Sequence, residues 1–178
     1  MSRSESLRIV SLIASATEIV CALGFEDQLV GRSHECDYPP SVKLLPQLTS
    51  PKFKVEGSSL EIDQRVKSIV QEALSVYRVD ARALEELKPT HIITQSQCEV
   101  CAVSLKDVEQ AVCELTSSRP IIVSLEPNAL EDVWADIRRV GNSLGASERG
   151  EDLVDQLESR IDDIVQRTHW LETNPTVA

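Results

Sequence analysis

The chain has 178 residues, of which 18 are basic and 29 acidic, giving a formal net charge of −11. A surface with this charge repels nucleic-acid phosphates and anionic lipids, which argues against nucleic-acid binding. Hydrophobic residues make up 42% of the chain and aromatic residues only 3%, so we expect one domain of ordinary size with an aliphatic core.

No stretch of the sequence approaches the roughly 20 apolar residues that a membrane helix requires. The amino-terminal residues also lack the apolar core of a signal peptide. The chain as written is therefore predicted to be cytoplasmic, or periplasmic if a leader has been removed. The five cysteines are an odd number, which does not indicate a closed disulfide framework.

The beginning of the chain has the pattern of a strand followed by a helix. A β-branched run at residues 8–13 predicts the strand, and Ser15 and Glu18 have the spacing of a capping box. Gly24 is placed to end the helix, and residues 29–33 predict a second short strand. This order is the first half of a βαβ unit.

The middle of the chain continues this alternation after an irregular segment. Residues 41–59 contain three proline or glycine breaks and are predicted to cross the surface without regular structure. Two more strands are predicted, at residues 90–94 and 120–125. Further helix starts are indicated by side chains that can cap a first turn, namely Ser58 with Glu61, Asp80, and Asn128 with Glu131.

A last helix is predicted near the carboxyl terminus, where an apolar stripe runs from Leu153 to Val165. Strands that alternate with helices favour a parallel sheet covered by helices. The sequence therefore predicts an α/β fold, a parallel sheet of about four strands flanked by helices, with a long C-terminal helix.

Two pairs of candidate metal ligands follow predicted strands. His34 and Cys36 come after the second strand, and Cys98 and Cys101 form a C-x-x-C after the third. Loops that follow parallel strands share one edge of the sheet, so we expect the four groups to meet in one crevice. One imidazole and three thiols suit a tetrahedral zinc or iron site, and a C-x-x-C also suits a redox disulfide. The alternative is a loop histidine that is solvated or hydrogen-bonded to backbone, and a C-x-x-C made of two small, buried cysteines.

The start of the first helix is a second candidate site. The backbone N–H groups of Ser15, Ala16 and Thr17 lie where a helix can bind a phosphate or a carboxylate. The G-x-G-x-x-G glycines of a dinucleotide site are absent, which argues against nucleotide binding. Simple helix capping is the alternative.

Four other side chains are candidates for a ligand pocket. Tyr38 and Tyr77 are large rigid rings in predicted loops, suited to stacking on a flat macrocycle. Gln95 and Glu126 follow the third and fourth strands at the same predicted edge. His34 has a further role open to it, axial ligation of a corrinoid cobalt through a neutral imidazole nitrogen.

The combined motifs resemble the substrate-binding proteins of ABC importers for cobalamin and iron-siderophore chelates, in particular the cobalamin-binding-protein-like branch. The segments that carry this resemblance are residues 8–24, 29–39, 77–80 and 95–103. Members of that family have two α/β lobes joined by one long helix, with the ligand held between the lobes. The resemblance implies that residues 7–127 form an α/β ligand-binding lobe. It also implies that residues 128–172 supply a packing helix and an interlobe-type helix, and that a second lobe is missing.

Three functions follow from these observations. The resemblance implies a non-enzymatic module that binds cobalamin or a related metal chelate, with an ABC permease or a second lobe from another chain as partner. The residues alone leave open a zinc, iron or redox protein that uses His34, Cys36, Cys98 and Cys101. A thiol-dependent hydrolase with His34 as the base is a third option, but no nucleophile motif surrounds either cysteine of the C-x-x-C.

Overall fold

The computed structural model describes residues 6–71, 77–96, 105–115 and 118–170. Short 3-10 turns at Glu26–Gln28 and Pro40–Leu44 interrupt the connections between elements. In chain order the strands and helices are β1 (Ile9–Ser11), α1 (Ala14–Ala22), β2 (Leu29–Arg32), β3 (Thr49–Pro51), α2 (Ser59–Gln71), β4 (Tyr77–Val79), α3 (Ala81–Leu87), β5 (His91–Gln95), α4 (Leu105–Leu115), β6 (Ile121–Leu125), α5 (Leu130–Ser143) and α6 (Ser147–Thr168).

The main sheet has four parallel strands in the order β2-β1-β5-β6. This arrangement confirms the predicted parallel sheet of about four strands. The chain leaves β1 toward β2 on one side and returns to β5 on the other side. Such a reversal of strand order opens a crevice at the carboxyl ends of the strands. The loops after β2 and β5 therefore lie on either side of β1 instead of side by side.

The sheet is buried on both faces, as expected for parallel strands covered by helices. Successive residues of a strand point to opposite faces, so Ile9 and Val10 of β1 belong to different apolar clusters. The cluster on one face also contains residues of α1 and the end of α5, including Ala16, Val20 and Val140. The cluster on the other face includes Leu48, Leu84 of α3, and Val108 and Ala111 of α4.

Two predicted helix caps are confirmed. The Glu61 carboxylate accepts the Ser58 backbone N–H at 2.7 Å, and the Ser58 hydroxyl oxygen accepts the Glu61 N–H at 3.4 Å, as a capping box requires. The Asp80 carboxylate accepts the Ala83 N–H at 3.0 Å at the start of α3. Both caps fix a helix at the residue that the sequence pattern indicated.

Two other predicted caps are wrong. Helix α1 begins at Ala14 with the extended Ile13 as its N-cap and no side-chain cap, so Ser15 already lies inside the helix. Because the helix starts one residue before Ser15, the predicted Ser15–Glu18 capping box does not form. At α5 the capping carboxylate belongs to Asp132, which accepts the Ala129 N–H at 2.9 Å. The predicted Asn128–Glu131 cap is therefore displaced by one residue.

The segment predicted to lack regular structure contributes one strand to a small second sheet. Strand β3 pairs antiparallel with β4, and Thr49 lies opposite Val79 while Pro51 lies opposite Tyr77. Each strand has three residues, which is too short to show a period-2 pattern in the sequence. The pairing matters because it carries Tyr77 to the carboxyl edge of the main sheet.

Helix α6 has 22 residues and confirms the predicted long C-terminal helix. Its first half packs against α5, where the backbones come close at Gly141 and Gly150. Its second half is open to solvent, with Ile164 and Val165 each 57% exposed and Trp170 beyond its end 81% exposed. Among the helices of the described ranges, none combines the length and apolarity needed to cross a bilayer.

His91 connects β5 to the end of α5 from a buried position. Its Nε2 lies 3.1 Å from the Ser143 carbonyl oxygen and its Nδ1 lies 3.0 Å from the Thr90 hydroxyl. Burial lowers the pKa of His91 from its ordinary value of 6.5, and the hydrogen bond to Ser143 opposes this shift only in part. The unfolded chain therefore binds more protons than the folded chain at mildly acidic pH.

This difference in proton binding predicts that the free energy of unfolding falls as the pH drops through 6.5. Replacing His91 with glutamine removes the titrating group and keeps an N–H donor for Ser143. We expect the stability advantage of the native chain over His91→Gln to be larger at about pH 8 than at about pH 5. Urea unfolding at both pH values measures it, and an advantage that grows on acidification would contradict the prediction.

Candidate functional site

The loop after β2 carries His34 to the carboxyl edge of the sheet, where Thr49 and Tyr77 from distant segments and the adjacent Glu35 surround it. Its Nδ1 lies 2.7 Å from the Thr49 hydroxyl oxygen, which also accepts the His34 backbone N–H at 3.0 Å. The Tyr77 ring lies against the imidazole with 4.9 Å between ring centroids. The Tyr77 hydroxyl donates to the Glu35 carboxylate at 3.0 Å, and the same carboxylate oxygen lies 4.0 Å from His34 Nε2.

The His34 imidazole is held as a neutral ring. Desolvation lowers the pKa of His34, the Arg32 charge acts in the same direction, and Glu35 opposes both. When Nδ1 donates to Thr49, the Thr49 hydroxyl donates in turn to Ser33 Oγ at 2.9 Å. No described residue then donates a hydrogen bond to the lone pair of Nε2, which leaves this nitrogen for a ligand. A histidine whose second nitrogen is fixed by a hydrogen bond is the usual form of a metal-ligating imidazole.

The two tyrosines have different environments. Burial and the neighbouring Glu35 carboxylate raise the pKa of Tyr77 to about 12, so it stays a neutral phenol that donates one hydrogen bond. Tyr38 is 62% exposed and borders a groove on the helical side of the lobe. Tyr38 thus presents an exposed ring near the carboxyl edge, whereas the Tyr77 ring packs partly against the apolar cluster that contains Leu48.

Cys36 points into the protein. Its side chain has no exposed surface, and its Sγ lies 3.0 Å from the Thr17 hydroxyl, which itself lies 2.8 Å from Ser11 Oγ. Desolvation raises the pKa of the Cys36 thiol, which opposes the thiolate form that binds metals. In this position Cys36 ties the loop after β2 to α1.

The predicted metal quartet is not assembled within the described part of the chain. Cys98 and Cys101 lie outside the described residues, and their joint role with His34 and Cys36 stays a prediction. Among the described residues, no three His, Cys, Asp or Glu side chains come together in a way that could hold a metal ion.

The helix-start candidates are mostly inside the fold. Ala16 and Thr17 are fully buried in the first turns of α1, whereas Ser15 is exposed. The Thr17 N–H already donates to the Ile13 carbonyl oxygen at 3.2 Å. Of the three residues, only Ser15 presents a side chain to solvent, and its contact with a ligand stays a prediction.

Two candidate residues lie at the other end of the carboxyl edge. Gln95 is the last residue of β5, and Glu126 directly follows β6. The Ser96 hydroxyl donates to the Glu126 carboxylate at 2.8 Å, which joins the ends of these two neighbouring strands. The Glu126 N–H donates at 3.1 Å to the carboxylate of Asp136, a buried residue of α5. Sequence reasoning missed Asp136, although an acid on the apolar face of a helix was a signal for a structural role.

A groove with a volume of about 540 Å³ opens between α1, α5 and α6. Its surface is largely apolar, with Ser15, Glu18 and Tyr38 as polar members. The apolar residues that line it are Ile19, Ala22, Pro39, Val133, Ile137, Leu153 and Leu157, together with Cys21. Ser15 and Tyr38 bring one end of the groove to the carboxyl edge of the sheet.

Known proteins share this architecture. The sequence profile described as periplasmic binding protein matches residues 9–178. The periplasmic heme-binding protein RhuT from Roseiflexus sp. RS-1, in its apo form, superposes with a TM-score of 0.67 at 26% identity, over 96% of this chain and 53% of that protein. The vitamin B12 binding protein BtuF of Vibrio cholerae superposes with a TM-score of 0.61 at 20% identity, over 92% of this chain and 51% of that protein.

A curated relative agrees with the structural neighbours. The uncharacterized ABC transporter substrate-binding lipoprotein YvrC of Bacillus subtilis (strain 168) is 24% identical over 166 residues, which is 93% of this chain and 43% of that protein. The chain thus spans about half the length of these relatives, and its sheet and helices correspond to one lobe of their fold. The match across nearly the whole chain means that it belongs to the periplasmic binding protein family.

Proposed function

We propose that this chain is a ligand-binding lobe of a substrate-binding protein for an ABC-type uptake system. We further propose that its ligand is a flat metal chelate, cobalamin or a related compound such as heme. The observation that carries the proposal is the fixed, neutral imidazole of His34 beside Tyr77 at the carboxyl edge of the sheet. Family membership supports a binding role rather than a catalytic one.

The chemistry of this edge fits a large planar chelate. Nε2 of His34 is the nitrogen available to an axial position of a cobalt or iron centre. The Tyr77 and Tyr38 rings offer flat surfaces for a macrocycle, and exposed Tyr38 joins them to the apolar groove. The structural relatives support the same class of compound, since one is a heme-binding protein and another is a vitamin B12 binding protein.

The partners follow from the same proposal. A single lobe contacts one side of a bound chelate, so we infer that a second lobe, in the same polypeptide or in another chain, covers the other side. The exposed second half of α6 leads away from this lobe. Residues 7–127 would then be the ligand-binding lobe and residues 128–172 its packing and interlobe helices. An ABC permease would receive the loaded protein.

Spectroscopic titration of the chain with hydroxocobalamin and with ferric heme tests the proposal. We expect at least one chelate to bind with the absorbance change of an imidazole-ligated metal. His34→Ala should weaken this binding by about tenfold or more and abolish the absorbance change. His169→Ala is the matched control, because His169 is exposed at the end of α6.

Two results would contradict the proposal. One is the absence of a spectral response to either chelate at saturating concentration. The other is an equal response in the native chain, His34→Ala and His169→Ala, which would mean that binding is nonspecific.

The metal or redox alternative has its own measurement. Elemental analysis of the chain purified without added metal would show stoichiometric zinc or iron if His34, Cys36, Cys98 and Cys101 form a site. Cys98→Ser should then release the metal. Metal-free protein that readily forms a Cys98–Cys101 disulfide would instead favour a redox role.

A further inference from the structure

The loop that carries His34 begins and ends at one residue of β2. The Arg32 N–H donates to the Pro46 carbonyl oxygen at 3.0 Å, and the Leu48 N–H donates to the Arg32 carbonyl oxygen at 2.8 Å. Residues 33–47 therefore leave β2 and return to it as a closed loop. Both His34 and Tyr38 lie on this loop.

The Arg32 side chain lies inside the loop and bonds its backbone. Its Nη1 donates to the carbonyl oxygens of Ser33 at 2.9 Å and Cys36 at 3.1 Å. Longer contacts of 3.5 Å and 3.4 Å join the guanidinium to the carbonyl oxygens of His34 and Lys43. The Nε of Arg32 has no hydrogen-bond partner among the described residues, so the terminal nitrogens make all of these bonds.

Carbonyl oxygens that converge on one point repel each other unless a cation lies between them. A guanidinium suits this task because it stays charged and presents several N–H donors in a fixed plane. An ammonium group would satisfy fewer carbonyl groups at these separate positions. The guanidinium thus holds the backbone on both sides of His34, at Ser33 and at Cys36.

We propose that Arg32 is a positioning residue for ligand binding, which acts by holding the loop of residues 33–47 so that His34 faces the ligand. The expected effect on chelate binding rests on the proposed function, whereas the role of Arg32 in holding the loop does not. Arg32 is half-buried and directs its hydrogen bonds to the loop's own carbonyl groups. Its effect on a ligand is therefore exerted through His34.

The test uses Arg32→Met, which removes the hydrogen bonds, and Arg32→Lys, which keeps the charge. Arg82→Met is the matched control, because Arg82 is exposed on α3 and pairs only with Glu86 in the described contacts. Hydrogen–deuterium exchange of residues 33–45 without any ligand measures how well the backbone of the loop is protected. Absorbance of bound hydroxocobalamin or ferric heme reports His34 ligation.

We expect amide exchange of the loop to accelerate by about tenfold or more in Arg32→Met, while residues of β1 and β5 keep their native exchange. Chelate affinity should fall by about tenfold and the imidazole-ligated spectrum should be lost. Arg32→Lys should restore part of both properties, and it carries the test if Arg32→Met does not fold.

Native loop exchange together with a native spectrum in Arg32→Met would overturn the proposal. So would a uniform loss of protection across the whole chain in both variants, since that result would assign Arg32 to global stability. If the native chain binds neither chelate, the exchange measurement still decides whether Arg32 holds the loop. The proposed function and the positioning role can therefore fail separately.

Discussion

Replacing Leu48 with alanine should lower the free energy of unfolding by about 3 kcal/mol, because its side chain is fully buried where the chain returns from the His34 loop. Leu48 belongs to the apolar cluster that contains Val10 and Leu84. It also fills the space beside Gly31, where an added Cβ would come within 2.6 Å of Leu48 Cδ1. Urea or guanidinium unfolding measures the loss.

Leu44→Ala is the matched control, since it makes the same chemical change four residues earlier in the same segment. The Leu44 side chain is 90% exposed, so its truncation should change the free energy of unfolding by less than about 0.5 kcal/mol. Equal losses in the two variants would mean that the segment does not return to the core at Leu48. A small loss in both would contradict the burial of Leu48.

The regular elements were predictable because their signals are local. The β-branched runs at residues 8–13 and 120–125 are bounded by turn residues, and both form strands of the main sheet. Gly24 ends the first helix with a backbone φ of 80°, a conformation that favours glycine. Strand order is different, since it depends on which side of β1 each later strand joins. No local pattern encodes that choice.

The candidate site was predicted in its position but not in its contacts. His34 does lie at the carboxyl edge, as a residue after a parallel strand should. Its partners Thr49 and Tyr77 come from two strands of three residues each, and that pairing leaves no trace in the sequence. Cys36 was expected beside His34, but a turn in which the Cys36 N–H donates to the Ser33 carbonyl oxygen at 3.2 Å directs it inward.

Asp136 provides the second large expected effect. Its carboxylate accepts the Glu126 N–H at 3.1 Å and also the Nη1 of Arg139, which donates to the Ser124 carbonyl oxygen at 2.9 Å as well. These contacts fix the turn that follows β6 at the carboxyl edge. We expect Asp136→Ala to lower the free energy of unfolding by about 2 kcal/mol, because the Glu126 N–H and the Arg139 guanidinium both lose this acceptor.

The variant Asp136→Asn decides between two opposing effects. Desolvation is the main cause that raises the pKa of Asp136, and the hydrogen bond from Glu126 and the Arg139 charge offset it only in part. Ionised Asp136 is thus costly to bury, and removing its charge would by itself stabilise the fold at neutral pH. An asparagine, however, turns an NH2 group toward one of two N–H donors, where an acceptor is needed.

We expect the loss of the acceptor to dominate, so Asp136→Asn should be less stable than the native chain by about 1 kcal/mol at neutral pH. The exposed Asp163→Asn on α6 is the control for charge removal alone and should stay within about 0.5 kcal/mol of the native chain. Chemical unfolding of the three variants measures the order. If Asp136→Asn is more stable than the native chain, the prediction is wrong. The two hydrogen bonds that the Asp136 carboxylate accepts would then stabilise the fold by less than the burial of its charge destabilises it.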